Sequence, residues 1–159
     1  MQTNNITIHL CDYNNHDDRN AVATLINAYI DDEMGGGTPL DCSQQQQLLE
    51  ALQQHPKSIV ILAVLQGVRC GMLVAFENFS TFSVRPMINI HDIIVLKAYR
   101  GKRVGKRLME SVIELAKNRL CSRITLEVRE DNIAARHLYQ SLGFAATSPI
   151  MDYWRKYLV

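Results

Sequence analysis

Apolar and polar positions alternate from Ile6 to Leu10, which predicts a half-buried strand, and Asp17 or Asp18 can cap a helix running to Ile30. Gly35-Gly-Gly-Thr-Pro39 breaks that helix, and helical spacing resumes from Leu40 to Gln54 behind a cap at Asp41 or Ser43. Ser58–Leu65 and Val68–Phe76 are apolar, β-branched runs around the turn Gln66-Gly67, the pattern of a hairpin. Met87–Leu96 reads as a further strand. A basic, glycine-containing turn follows, then a helix over Val104–Leu120 whose apolar positions Val104, Leu108, Val112, Leu115 and Ala116 fall at helical spacing. Arg123–Val128 reads as a strand and Asp131–Leu142 as a helix closed by Gly143. The rest offers two short strands around Pro149, ending in Tyr153-Trp-Arg-Lys-Tyr157. The predicted order is β, α, α, β, β, β, α, β, α, β, β.

That order describes a mixed sheet with helices packed on its faces, an α/β or α+β architecture. The 159 residues suit one domain over 1–159, without repeat or linker. No apolar run approaches the roughly 20 residues that span a bilayer, so no membrane partner is expected. The opening stretch Met1–Leu10 lacks the basic start and apolar block of a signal peptide, which predicts a cytoplasmic location. Cys11, Cys42, Cys70 and Cys121 are dispersed with no C-x-x-C pair, an argument against a metal site and against a disulfide framework.

Charge changes the picture in one place. The net charge is +1, yet residues 97–107 carry Lys97, Arg100, Lys102, Arg103, Lys106 and Arg107 and no acid. A patch that small suits a phosphorylated small molecule better than nucleic acid, where phosphates along a backbone must be met together. The turn also enters a helix, whose unpaired N–H groups and positive dipole end attract anions. Gly101 and Gly105 allow close backbone approach, and Arg100, Lys102, Arg103 and Lys106 add charge around the same point. The expected ligand is a polyanion.

Two stretches give that ligand a family. Ile90-His-Asp-Ile-Ile-Val-Leu-Lys-Ala-Tyr-Arg-Gly-Lys-Arg-Val-Gly-Lys106 and Leu126-Glu-Val-Arg-Glu-Asp-Asn-Ile-Ala-Ala-Arg-His-Leu-Tyr-Gln-Ser-Leu-Gly-Phe144 resemble the two signature motifs of the GNAT N-acetyltransferases, in the family's order and spacing. The resemblance is specific over the C-terminal two fifths and only topological over the first 80 residues. It implies a mixed, mostly antiparallel sheet of six to seven strands with about four helices on both faces. It further implies transfer of an acetyl group from acetyl-coenzyme A to a primary amine in a ternary complex, without a metal. Carried over by position, the cofactor would meet Ile93, Ile94 and Val95 along its pantetheine arm, with Asn132 and Ala135 opposite. Its pyrophosphate would meet Arg100, Gly101, Lys102, Arg103, Val104, Gly105 and Lys106. Arg103 departs from the family, which has glycine there. An arginine with positive φ costs about 1 kcal/mol, so ordinary helical geometry is expected at this position.

Acetyl transfer to an amine needs a proton acceptor for the amine and a proton donor for the leaving thiolate. Tyr139 stands where the family carries its sulfur-protonating tyrosine; the plain alternative is a buried helix tyrosine. Three residues are candidate bases. His91 occupies the position of a glutamate base in the polyamine-acetyltransferase-like branch. Glu127 matches the base of the ribosomal-protein N-terminal branch, twelve residues before the tyrosine. Asp92 is the third. Strand alternation places His91 and Asp92 on opposite faces, so only one can reach a cleft unless a bulge intervenes.

Between Asp12 and Asp41 seven acids face the single base Arg19, which favours a cationic acceptor. Phe79–Asp92 also resembles the strand-loop-strand segment of small-amine and polyamine acetyltransferases, so a small amine, polyamine or amino-acid side-chain amine is the expected partner. A protein N-terminus, a lysine side chain, or a silent acyl-CoA-binding module are the alternatives. The aromatic C-terminus could complete a sheet edge or form a homodimer interface.

Overall fold

A computed structural model describes residues 5–158. Five strands form one sheet in the order β1-β2-β3-β4-β5: β1 Thr7–Leu10, β2 Ser58–Leu65, β3 Val68–Ser80, β4 Arg85–Val95 and β5 Ile124–Leu126. All neighbours are antiparallel except β4 and β5, which run parallel with Ile88 opposite Ile124 and Ile90 opposite Leu126. A parallel neighbour requires a crossover, and α3 (Val104–Asn118) supplies it. The remaining helices are α1 His16–Ile30, α2 Cys42–Gln54 and α4 Ile133–Ser141.

The sheet is thus shorter than the six to seven strands expected. The two strands anticipated around Pro149 do not form, and residues 145–158 carry no helix or strand. Among the described residues they join no ladder with β5 or any other strand, and an isolated extended segment has no stability of its own.

Two clusters fill the two faces of the sheet. Ile61, Leu73, Ile88 and Ile90 pack with Leu108, Met109 and Val112 of α3 and with Tyr139 of α4. On the other face Val60, Leu62, Met72 and Ile94 pack with Val22, Leu25 and Ile26 of α1 and Leu49 and Leu52 of α2. Gly71 on β3 allows α3 to lie close to the sheet. A Cβ there would stand 2.8 Å from Val104 Cγ1, 3.1 Å from Leu108 Cδ1 and 3.2 Å from the Ile94 carbonyl oxygen.

Capping follows short-range chemistry, with one shift from expectation. Asn15, not Asp17 or Asp18, caps α1, its Oδ1 accepting from the amides of Asp17 (2.9 Å) and Asp18 (3.1 Å). Asp18 is thereby free to turn inward, where it is 1% exposed. It accepts from the Asp12 amide at 3.0 Å and from Arg69 Nε at 2.6 Å, with His9 Nε2 3.0 Å away. The acid and its partners tie β1, α1 and β3 together. Asp41 caps α2 in a reciprocal box with Gln44.

Candidate active site

β4 and β5 separate beyond Ile90 and Leu126. β5 ends there, whereas β4 continues to Val95. The Leu96 amide donates to Cys70 of β3, so by strand alternation the amides of Ile94 and Asp92 face β3 and those of Ile93 and Val95 face the open gap. Of the three residues expected along the pantetheine arm, Ile93 and Val95 therefore present backbone to the gap. Ile94 instead gives its amide to the sheet and its side chain to the α1/α2 cluster.

A bulge on β4 settles how the candidate bases are displayed. Asp92 lies opposite Val74 and Ile90 opposite Ala75, which leaves His91 without a partner. The extra residue reverses the alternation: Ile88 and Ile90 belong to the α3 side, Ile94 to the α1/α2 side. His91 lines the cleft at this point, its ring edge-on to Phe76 at 4.9 Å, and Phe76 in turn meets His55 at 4.9 Å. Asp92 follows Ile94 onto the α1/α2 side and is not among the cleft-lining residues. Burial pushes its carboxyl above the usual range, against the opposing charge of His91. Asp92 in turn adds to the burial that raises the Tyr29 phenol.

The cleft has a volume of about 120 Å³ and brings together His91, Ile93, Glu127, Asn132, Ala135 and Tyr139 of the expected set. Tyr139 is 7% exposed, and its hydroxyl has no hydrogen-bond partner among the described residues. Burial, with a smaller contribution from Tyr29, pushes its pKa up to about 12, so it is a protonated donor at neutral pH. Glu127 carries no hydrogen bond or ion pair among the described residues. Asn132 caps α4, its Oδ1 accepting from the Ala135 amide at 3.2 Å, which leaves its amide NH₂ available to the cleft. Tyr29 and Met34 line the α1 side and were not anticipated from the sequence. Their only signal was position, at the end of the first helix and beside the acidic run that precedes the triple glycine.

The basic turn lies next to the gap. Lys97–Tyr99 form a 3₁₀ turn, Gly101 takes φ +76°, and Arg103 takes φ 67°, ψ 10° immediately before α3. The helical geometry expected at Arg103 is therefore corrected to left-handed. Val104 is a buried core residue, and Gly105 sits close to α4, with Leu138 Cδ2 3.4 Å from where a Cβ would stand; these contacts fix the helix start and force the turn onto residue 103. No amide from Gly101 to Lys106 donates to a backbone carbonyl among the described residues. Six consecutive N–H groups at a helix start therefore lack a backbone acceptor among the described residues, a feature that attracts anions. Around it, Lys102 Nζ lies 5.1 Å over the Tyr99 ring and Lys106 Nζ is 3.9 Å from Glu110. The Arg103 side chain has no hydrogen bond or ion pair among the described residues, while its carbonyl accepts from the Arg107 amide at 3.0 Å. Arg100 is already engaged: its Nε donates to the Val95 carbonyl at 3.0 Å and its Nη2 to Asp32 Oδ2 at 2.7 Å.

Among the described residues no helix is long and apolar enough to cross a membrane, and no group of three His, Cys, Asp or Glu side chains could hold a metal ion.

Comparison with known proteins agrees with this geometry. N-alpha-acetyltransferase RimI of Mycobacterium tuberculosis is 34% identical over 87 residues, 54% of this chain and 53% of the relative. The match thus spans about half that relative's length. The uncharacterized N-acetyltransferase YhfO of Bacillus subtilis is 24% identical over 136 residues, 86% of this chain and 89% of its own. An aminoglycoside acetyltransferase, meta-AAC0020 from an uncultured soil metagenomic sample, shares the fold with a TM-score of 0.79 at 16% identity, covering 99% of each chain. Residues 19–144 match the family described as the acetyltransferase (GNAT) family, which takes in both motifs, the basic turn and the cleft; the chain belongs to that family.

Proposed function

We propose that the protein transfers an acetyl group from acetyl-coenzyme A to a primary amine on a small cationic acceptor, by direct attack in a ternary complex. The observation that carries this reading is the junction of two backbone features. The free amides of residues 101–106 suit a pyrophosphate, and the open edge of β4 at Ile93 and Val95 suits an amide-bearing arm leading to the cleft. Lys102, Arg103 and Lys106 supply charge to the phosphates, and Asn132 and Ala135 flank the arm from α4. Bound there, acetyl-CoA supplies an activated acyl thioester.

The remaining work belongs to side chains in the cleft. Glu127, unpaired and cleft-lining, accepts the proton of the incoming ammonium. Tyr139, neutral because burial raises its pKa, donates a proton to the departing sulfur. His91 borders the acceptor side with its ring braced by Phe76. Tyr29 and Met34 give the acceptor an aromatic and a thioether wall, and exposed Asp31 and Glu33 carry negative charge nearby on the chain.

A second reading, acetylation of a protein N-terminus, is favoured by the spacing of Glu127 and Tyr139 and by the name of the mycobacterial relative. A thiol-release assay with acetyl-CoA across polyamines, lysine analogues, aminoglycosides and peptides tests both. Turnover of small amines is expected. Turnover of peptides alone would replace the first reading with the second, and acetyl-CoA binding without any turnover would overturn both.

A further inference from the structure

The hairpin that joins β3 to β4 ends in an apolar tip. Ser80 pairs with Arg85, so Thr81-Phe-Ser-Val84 projects past the last rung of the ladder. Phe82 is 96% exposed there and Val84 73%, with Phe79 (59%) one pair behind. Leu120, 73% exposed, joins them from the end of α3. The Ser122 amide and hydroxyl both donate to the Pro86 carbonyl, which pins this segment beside the hairpin. Val84 and Leu120 take positive φ, 51° and 56°, a strained conformation for a β-branched or bulky residue. The backbone holds both side chains in water at that cost, and neither gains burial from it. Apolar groups clustered in this way mark an interaction surface.

Bases stand behind the tip at graded depth. Arg85 occupies the last rung, and Arg123 Nη1 donates to the Ser80 hydroxyl at 3.0 Å. Three residues further along the strand, about 10 Å back, Glu77 is shared by Arg119 at 2.9 Å and Lys57. Residues 77–88 and 117–126 build this end of the molecule. They hold Arg85, Lys117, Arg119 and Arg123 against the single acid Glu77, in a chain whose net charge is only +1. The side chains of Arg85 and Lys117 have no hydrogen bond or ion pair among the described residues.

We propose that this end docks on the surface of an anionic phospholipid bilayer, with Phe82 and Val84 at the acyl boundary and the four bases among the phosphates. A convex apolar apex backed by cations matches the depth order of that interface, where an apolar phase lies beneath negative headgroups. The scale agrees, since interfacial elements bury their apolar groups roughly 5–10 Å deep and the bases fall within about 10 Å behind the tip. Nucleic acid would also attract these bases, but its phosphates would meet Phe82 and Val84 before any of them. No helix among the described residues can cross a membrane, and a hairpin tip that enters only the interface needs none. β4 runs about 30 Å from Arg85 to Val95, so docking at one end leaves the basic turn at the other end free. Docking is therefore independent of the acetyl transfer proposed above.

Co-sedimentation of the full chain with vesicles of mixed phosphatidylglycerol and phosphatidylcholine is expected to show binding. Binding should fall at least tenfold on phosphatidylcholine alone, and fall as salt is raised to about 0.5 M. Phe82→Ser/Val84→Ser should weaken it at least tenfold, with a cooperative urea transition showing that the variant is folded. Arg85→Gln/Lys117→Gln should weaken binding to the anionic vesicles and leave binding to phosphatidylcholine unchanged. Failure to bind the anionic vesicles would overturn the proposal, as would equal binding to both vesicle types or binding that the tip substitutions leave unchanged. Binding of a single-stranded RNA in place of vesicles, unaffected by the tip substitutions, would assign the bases to nucleic acid and overturn it too.

Discussion

Arg100 Nη2 donates to Asp32 Oδ2 at 2.7 Å, tying the loop after α1 to the turn before α3. The two residues were expected to serve different ligands, the arginine a phosphate and the acidic run an amine, yet each is the other's partner. The Arg100 hydrogen bond and the Met34 amide hold the Asp32 carboxyl below its usual range. A phosphate at the turn must compete with Asp32 for this guanidinium. An ion pair half open to solvent is worth about 0.2–1 kcal/mol, so Asp32→Asn should tighten acetyl-CoA binding by a factor of roughly 1.4 to 5 by calorimetry. An unchanged dissociation constant would mean that Arg100 stays on the loop when the ligand binds.

Arg103 takes a left-handed conformation that costs a non-glycine residue about 1 kcal/mol. Arg103→Gly removes that strain but loosens the unfolded chain, so the net gain in stability should be positive and at most about 1 kcal/mol, read from urea denaturation. Its guanidinium has no partner among the described residues and is free for a phosphate. The same variant should therefore raise the Michaelis constant for acetyl-CoA; if that constant does not move, the side chain does not compensate for its backbone.

These two residues show where sequence pattern stopped being informative. Strand β4, the basic turn and α3 were legible because alternation and helical periodicity follow from which faces are buried. The conformation of Arg103 was not, because Val104 in the core and Gly105 against Leu138 dictate it from a distance. The bulge at His91 left one trace, the adjacent polar pair His91-Asp92 inside an otherwise apolar run. Periodicity alone reads that pair as two faces. The tail shows strand-like composition, yet among the described residues it joins no ladder, and composition alone does not supply a pairing partner.

Tyr139 supports the sharpest separation of catalysis from stability. Its hydroxyl has no partner among the described residues, so Tyr139→Phe should leave the melting temperature within error. If the hydroxyl donates to the leaving sulfur, kcat should fall about 100-fold or more. With its pKa pushed up to about 12, its deprotonation should leave no inflection in the rate profile below pH 10. A phenylalanine variant with full kcat would remove Tyr139 from the mechanism.

Glu127 and His91 both line the cleft, and their substitutions should behave differently. Glu127→Gln should lower kcat/KM about 100-fold, as expected when the general base is lost. His91→Asn should leave kcat near the wild-type value and act mainly on the acceptor KM. The reverse pattern would hand the proton to the histidine at the bulge.

Asp18 makes the clearest pH prediction for the fold. Burial raises its pKa, but hydrogen bonds from the Asp12 amide, Arg69 and His9 more than offset this, and the carboxyl ends below its usual range. A carboxyl depressed in the folded state contributes stability that is fully present above the unfolded value, near pH 4, and disappears as pH falls through the folded one. Asp18→Asn leaves Arg69 with Asp17 at 3.6 Å, an exposed partner, and removes the acceptor charge from a site 1% exposed. Losing one member of such a group costs about 2–4 kcal/mol. Urea denaturation should show that gap between wild type and variant at pH 7 and a progressively smaller one below pH 4. A gap that stays constant down to pH 2 would mean that the packing of the residue, not its charge, holds β1 and α1 to the sheet.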